Sequence, residues 1–152
     1  MTYLEKGELQ RIWDVVEQKW DAKTTDYWWP LRKGSAPRPA IAFHLDWFGE
    51  DKAAALCDVL VEHGVVLVWE RGESREWGCH LSVHAFVPAY NGEEGYWTSE
   101  GAEWLVYASH EASITLAGEW LVRSFRGKFP DCDQFTYCGA MSTDDLRGQW
   151  WT

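Results

Sequence analysis

The sequence predicts an α+β fold: a mainly antiparallel sheet of about five strands with three helices packed on it, in one domain over residues 1–152. Three observations predict it. Apolar residues recur at spacings of three and four in three stretches, the mark of amphipathic helices. Five other runs alternate or stay apolar over the length of a strand. Four of those five follow one another, which favours antiparallel pairing with the helices on one face or at the ends of the sheet.

In the first helix, roughly residues 5–21, Leu9, Ile12, Trp13, Val16 and Trp20 form one stripe, and Asp14, Glu17, Gln18 and Lys19 take the other side. Thr24–Arg38 carries Pro30, Gly34 and Pro37 and reads as a loop, with Tyr27, Trp28 and Trp29 as a plug beneath it. In Pro39–Asp46, Ile41, Phe43 and Leu45 alternate with smaller or polar residues, so this is a strand. The second helix follows, with Glu50 and Asp51 at its start, Ala53, Leu56, Cys57, Leu60 and Val61 as its stripe, and Gly64 as its cap.

Val65–Glu70 is continuously apolar and reads as a buried strand. Cys79–Val87 alternates and reads as its antiparallel partner, ended by Pro88. Ala89–Glu103 reads as a long loop, with Gly92, Gly95 and Gly101, the acids Glu93, Glu94, Glu100 and Glu103, no base, and the aromatics Tyr90, Tyr96 and Trp97. Loops of about 15 residues are often functional. Trp104–Ala108 and Ser113–Ala117 then read as a hairpin at the centre of the sheet, broken at Ser109-His110-Glu111. The third helix begins after Gly118, uses Trp120, Leu121 and Phe125 as its apolar side, and stops at Gly127 and Pro130. Phe135–Tyr137 suggests a short edge strand, and Asp144–Arg147 a single helical turn.

Composition narrows the function. The net charge of −10 argues against nucleic acid and anionic membrane as partners and suits a basic protein. No apolar run reaches the roughly 18–20 residues that span a bilayer. The charged start lacks an apolar signal core, so a cytoplasmic location with reduced thiols is expected. The cysteines, at 57, 79, 132 and 138, show no C-x-x-C spacing, although Cys132 and Cys138 are near enough in sequence to bridge. Twelve tryptophans exceed what a core of this size needs, so some are expected at a partner surface.

Three constellations are candidates for chemistry. His80 and His84, four apart on one strand face, would stand about 13 Å apart at ~3.3 Å per residue, too far to share one zinc. His44 or His110 could join only one of them, and no metal or cofactor is expected. His110 beside Glu111 suggests a general acid–base pair in a Trp-lined pocket, and with it a small enzyme as the alternative reading. Ser109 and Ser113 lie in no G-x-S-x-G setting, and no phosphate-binding Gly-rich motif is present. The acidic, aromatic loop suggests instead a surface that steers onto a basic partner.

The opening helix with Ile12-Trp13-Asp14 and the stretch Tyr107-Ala-Ser-His110-Glu111-Ala-Ser-Ile-Thr-Leu-Ala-Gly118 resemble those of small acidic bacterial proteins of the immunity type, which neutralise polymorphic toxins. The resemblance implies binding without catalysis and defines no functional residues. The expected function is therefore a non-enzymatic immunity or inhibitor protein, a monomer or weak homodimer, that occludes a basic partner such as a toxin. The residues expected to meet it are Glu93, Glu94, Tyr96, Trp97, Glu100, Glu103, His110 and Glu111.

Overall fold

A computed structural model describes residues 1–23, 27–32, 39–73 and 78–137. The elements run β1 (Thr2–Tyr3), α1 (Lys6–Trp20), β2 (Ala40–His44), α2 (Glu50–Glu62), β3 (Leu67–Gly72), β4 (Gly78–Ser82), β5 (Gly95–Thr98), β6 (Leu105–Ala108), β7 (Ser113–Ala117) and α3 (Glu119–Lys128). This is an α+β architecture in which every strand pair is antiparallel.

The sheet has seven strands in the order β1-β4-β3-β5-β6-β7-β2, where the sequence suggests about five. One addition is β1, whose two residues pair with His80 and Cys79. The other is β5, which lies inside the stretch read as an acidic loop. It is the middle strand of the sheet, so the β6–β7 hairpin stands beside the centre and not at it. Its four residues carry strong β-formers, Tyr96, Trp97 and Thr98, hidden between glycines and acids too short a distance apart for periodicity to register.

Both faces of the central strands are apolar, so both need cover. Trp97, Val106, Leu116 and Ile41 form one cross-strand row. It packs under Leu56, Val59 and Leu60 of α2 and Leu121, Val122 and Phe125 of α3. Tyr96 and Tyr107 head the neighbouring row on the opposite face, under Leu9, Ile12, Trp13 and Val16 of α1. The helices thus sit on both faces, one on one side and two on the other. Strand residues alternate by face with period two, so adjacent Tyr96 and Trp97 serve different cores.

Two strand assignments shift. The run beginning at Val65 starts its strand at Leu67, and Val66 is 72% exposed. The expected strand Cys79–Val87 ends at Ser82, whose hydroxyl accepts from the His84 amide and turns Val83–Ala85 into a 3-10 turn. His80 and His84 therefore do not share a strand face. Cys132–Phe135 is likewise a 3-10 turn, after which Thr136 makes a single bridge to Phe43.

Among the described residues, Trp13, Trp28, Trp69, Trp97 and Trp104 are buried, Trp20, Trp29, Trp47 and Trp120 are half-buried, and none is exposed. The described indoles are therefore packed at least halfway into the fold, and Trp77 lies outside the described residues. Several N–H groups find internal acceptors: Trp20 donates to the Ala102 carbonyl, Trp28 to that of Trp20, and Trp104 to the Ser99 hydroxyl, whereas the buried Trp13 N–H has no acceptor among the described residues. Trp28 plugs the core as expected of the Tyr-Trp-Trp cluster, whereas Tyr27 lies outside it. Cys138, Asp144–Arg147 and Trp150-Trp151 lie outside the described residues.

Candidate functional site

The eight residues grouped by sequence do not form one surface. β5 separates them: Glu93 and Glu94 precede it, Glu100 and Glu103 follow it, and Tyr96 and Trp97 lie within it. Four residues of extended strand span about 13 Å. Because Gly95 pairs with Ala108, the hairpin turn that carries His110 and Glu111 stands at the Glu94 end. Tyr96, Trp97 and Glu94 are all buried, and the expectation that they face a partner is corrected by their places in the sheet.

At the Glu94 end the chain builds a proton-rich cluster. Glu94 is 1% exposed, and one of its carboxylate oxygens accepts from the His110 ring Nδ1 and from the His110 backbone amide. The other oxygen makes no hydrogen bond of good geometry, nor do the buried hydroxyls of Tyr96 and Tyr107, whose rings stack at 4.8 Å. Burial pushes both phenols far up, so both stay protonated. The His110 Nε2 lies 3.3 Å from Glu111, and the Tyr27 ring packs on the imidazole at 4.9 Å. The hydrogen bond to Glu94 raises the imidazole above its ordinary value against the opposing effect of partial burial, with Glu111 and Glu73 adding to the rise. His110 and Glu111 thus converge, but the closer carboxylate is Glu94, far away in sequence. Nothing in the local pattern marks that partner.

Ser109 and Ser113 spend their hydroxyls on each other, at 2.6 Å, and on the turn amides of Glu111 and Ser113. They close the hairpin turn, with Ala112 in the left-handed region at φ 58°. Among the described residues no group of three or more His, Cys, Asp or Glu is placed to hold a metal ion. None of the described helices is long and apolar enough to cross a membrane.

At the opposite end, two hollows meet. The larger, about 400 Å³, lies between the end of α2, the start of β3, the 99–103 turn and Trp120 of α3. Val66 and Leu67, 72% and 47% exposed, form its apolar lip, and the His63 ring stacks on Trp120 at 4.2 Å. The smaller, about 270 Å³, lies against Arg11, Ile12 and Val15 of α1. Trp69, Ser99 and Glu100 line both, so the hollows join into a groove over the end of the sheet.

The turn between them is held firmly. Lys19 donates to the Gly101 carbonyl at 2.6 Å and Trp20 to that of Ala102 at 2.9 Å. Gly101, at φ 86°, supplies the left-handed residue the turn requires. Glu100 and Glu103 project from it, exposed and without an ion pair among the described residues. Sequence reasoning singles out these two acids but misses Val66, Leu67, Trp69 and Trp120. A continuous apolar run reads as interior, and no local signal distinguishes its exposed first residues.

Compared with protein-family models, with curated proteins and with solved structures, the chain matches none. Its residues and their geometry therefore carry the functional argument.

Proposed function

We propose that this chain is a non-enzymatic protein-binding module of the immunity or inhibitor type, which occludes a basic partner such as a bacterial toxin in the cytoplasm. One observation carries the reading: an open groove with an apolar lip at Val66 and Leu67 and with two carboxylates, Glu100 and Glu103, that make no ion pair among the described residues. Exposed Val66 and Leu67 offer area to desolvate, and the carboxylates select for Lys or Arg. The net charge of −10 steers a basic protein towards it.

Titration against basic toxin domains encoded beside the gene tests this reading, and failure to bind any of them counts against it. Replacing Glu100 and Glu103 together with Gln is expected to slow association at low salt by roughly threefold or more, since rim charges act mainly on the on-rate. An unchanged rate removes the groove from the reading.

The alternative, a small enzyme built on a His/Glu pair, draws on the convergence of His110 with Glu94 and Glu111. A general base needs an unprotonated nitrogen near neutral pH. Carboxylates at both ring nitrogens favour the imidazolium, which suits a general acid better than a general base.

A further inference from the structure

We infer that Glu94 and His110 form a proton-controlled latch that holds the β6–β7 turn against the start of β5. Glu94 is buried beneath the turn, and among the described residues its bonded oxygen accepts from His110 through ring and backbone together. The imidazole is 36% exposed at its side chain, so it covers the carboxylate from the solvent side and can exchange its proton with water. A buried carboxylate is tolerated when paired and costly when its partner is neutral. The device is thus a buried carboxyl group under a titratable lid.

The groups around the lid all act in one direction. Glu111 faces it from its own turn, Glu73 from the end of β3, and Glu94 from the start of β5. Tyr107 of β6 and Tyr96 of β5 remain protonated and carry no charge. Tyr27 packs its ring on the imidazole. Of the described cations, Arg32 is close enough to act on the Tyr96 phenol, and Arg71, the register partner of Tyr96, lies over the Trp13 ring at 5.7 Å. The folded imidazole therefore titrates above its unfolded value, and the stabilisation is complete below about pH 6.5. It is lost as pH rises through the folded value.

The turn senses this locally. The His110 amide is bound to Glu94 itself, the Ala112 amide to Ser109, and the Leu45 amide to Ala112, which ties the turn to the end of β2. With the lid neutral, the charge-assisted bond becomes an ordinary one from Nδ1, Glu94 is held less tightly and these amides open more often. The latch stands at the end of the sheet away from the Glu100 groove and does not depend on what that groove binds.

Hydrogen exchange by NMR, corrected for the intrinsic rate, tests the latch on the whole chain between pH 6 and pH 9, alongside direct titration of the His110 ring. Protection of the His110, Ala112 and Leu45 amides is expected to fall by about tenfold across this range. Amides of α2 should keep their protection. Glu94→Gln should remove the pH dependence at the turn and bring the imidazole down towards its ordinary value, with Glu111 and Glu73 still acting on it. His110→Lys, which keeps the charge, should hold the turn closed to pH 9, and it serves if the Gln variant does not fold. Wild-type protection at the turn that does not vary with pH, or a loss shared equally by α2, overturns the inference.

Discussion

The Trp97 indole donates to the Glu70 carboxylate at 2.6 Å, across the β3–β5 pair in which the two residues face each other. Local pattern puts one side chain on a loop and the other in a strand two dozen residues earlier. Together they tie the middle strand of the sheet to its neighbour on the α2/α3 face. Trp97→Ala is expected to cost about 3–5 kcal/mol, as large buried aromatics do. Glu70→Gln, which still offers an acceptor, should cost about 1 kcal/mol. Urea unfolding of both variants measures the difference, and equal losses would mean that the indole contributes little beyond the hydrogen bond.

The groove and the core make opposite demands at Val66. It is mostly exposed, so Val66→Arg should leave stability within about 0.5 kcal/mol. The same change fills the apolar lip with a cation that would face the basic partner proposed for the groove. Affinity is expected to drop at least tenfold, or about 1.4 kcal/mol. A binding measurement paired with a melting curve separates the two effects.

Gly118 sets the geometry where β7 passes into α3. Its φ of 124° lies where side chains are strained, and an added Cβ would stand 2.8 Å from the Glu103 carbonyl oxygen and 3.1 Å from the Trp104 Cα. Both neighbours are backbone atoms, so neither yields cheaply. Gly118→Ala should cost about 1–3 kcal/mol. It should also move Glu103 and Trp120, weakening partner binding more than the melting temperature alone explains.

The thiols offer a test of burial. Burial, with Glu70 adding to it, pushes Cys79 up to about 11, and burial also raises Cys57 and Cys132. A thiol that stays protonated is a poor nucleophile. At pH 8 the native protein should therefore label slowly at Cys79 and Cys132, both sealed, and rapidly once unfolded. Mass mapping after brief alkylation gives the result. Prompt native labelling of Cys79 would show that β4 opens readily beside β1.

Elements with a periodic local pattern are legible in the amino-acid order alone. α1, α2 and α3 each repeat an apolar residue every three or four positions, and β2, β6 and β7 show their β-formers in runs long enough to detect. β1 and β5 are not legible because pairing defines them more than composition does. Two residues at Thr2–Tyr3 have no pattern, and Gly95–Thr98 acquires its meaning only from β3 and β6 on either side. The candidate site divides the same way. Glu100 and Glu103 stand out as acids without bases nearby, but their groove requires Trp120, Leu67 and Ile12 to be brought in from three other elements. His110 and Glu111 are adjacent by inspection. Glu94, the carboxylate that holds the imidazole, lies sixteen residues away and meets it only because β5 and β6 pair.

The sequence by itself determined the class of fold, the face that α1 buries and the negative charge of the molecule, since these follow from the spacing and kind of nearby residues, whereas in α2 it is Val59 that is buried and the expected Val61 that is exposed. Tertiary structure alone decided which tryptophans are hidden, which end of the sheet each acid occupies, and which carboxylate His110 meets. Burial and proximity are properties of strand order, and strand order is set by contacts between residues that the chain keeps far apart.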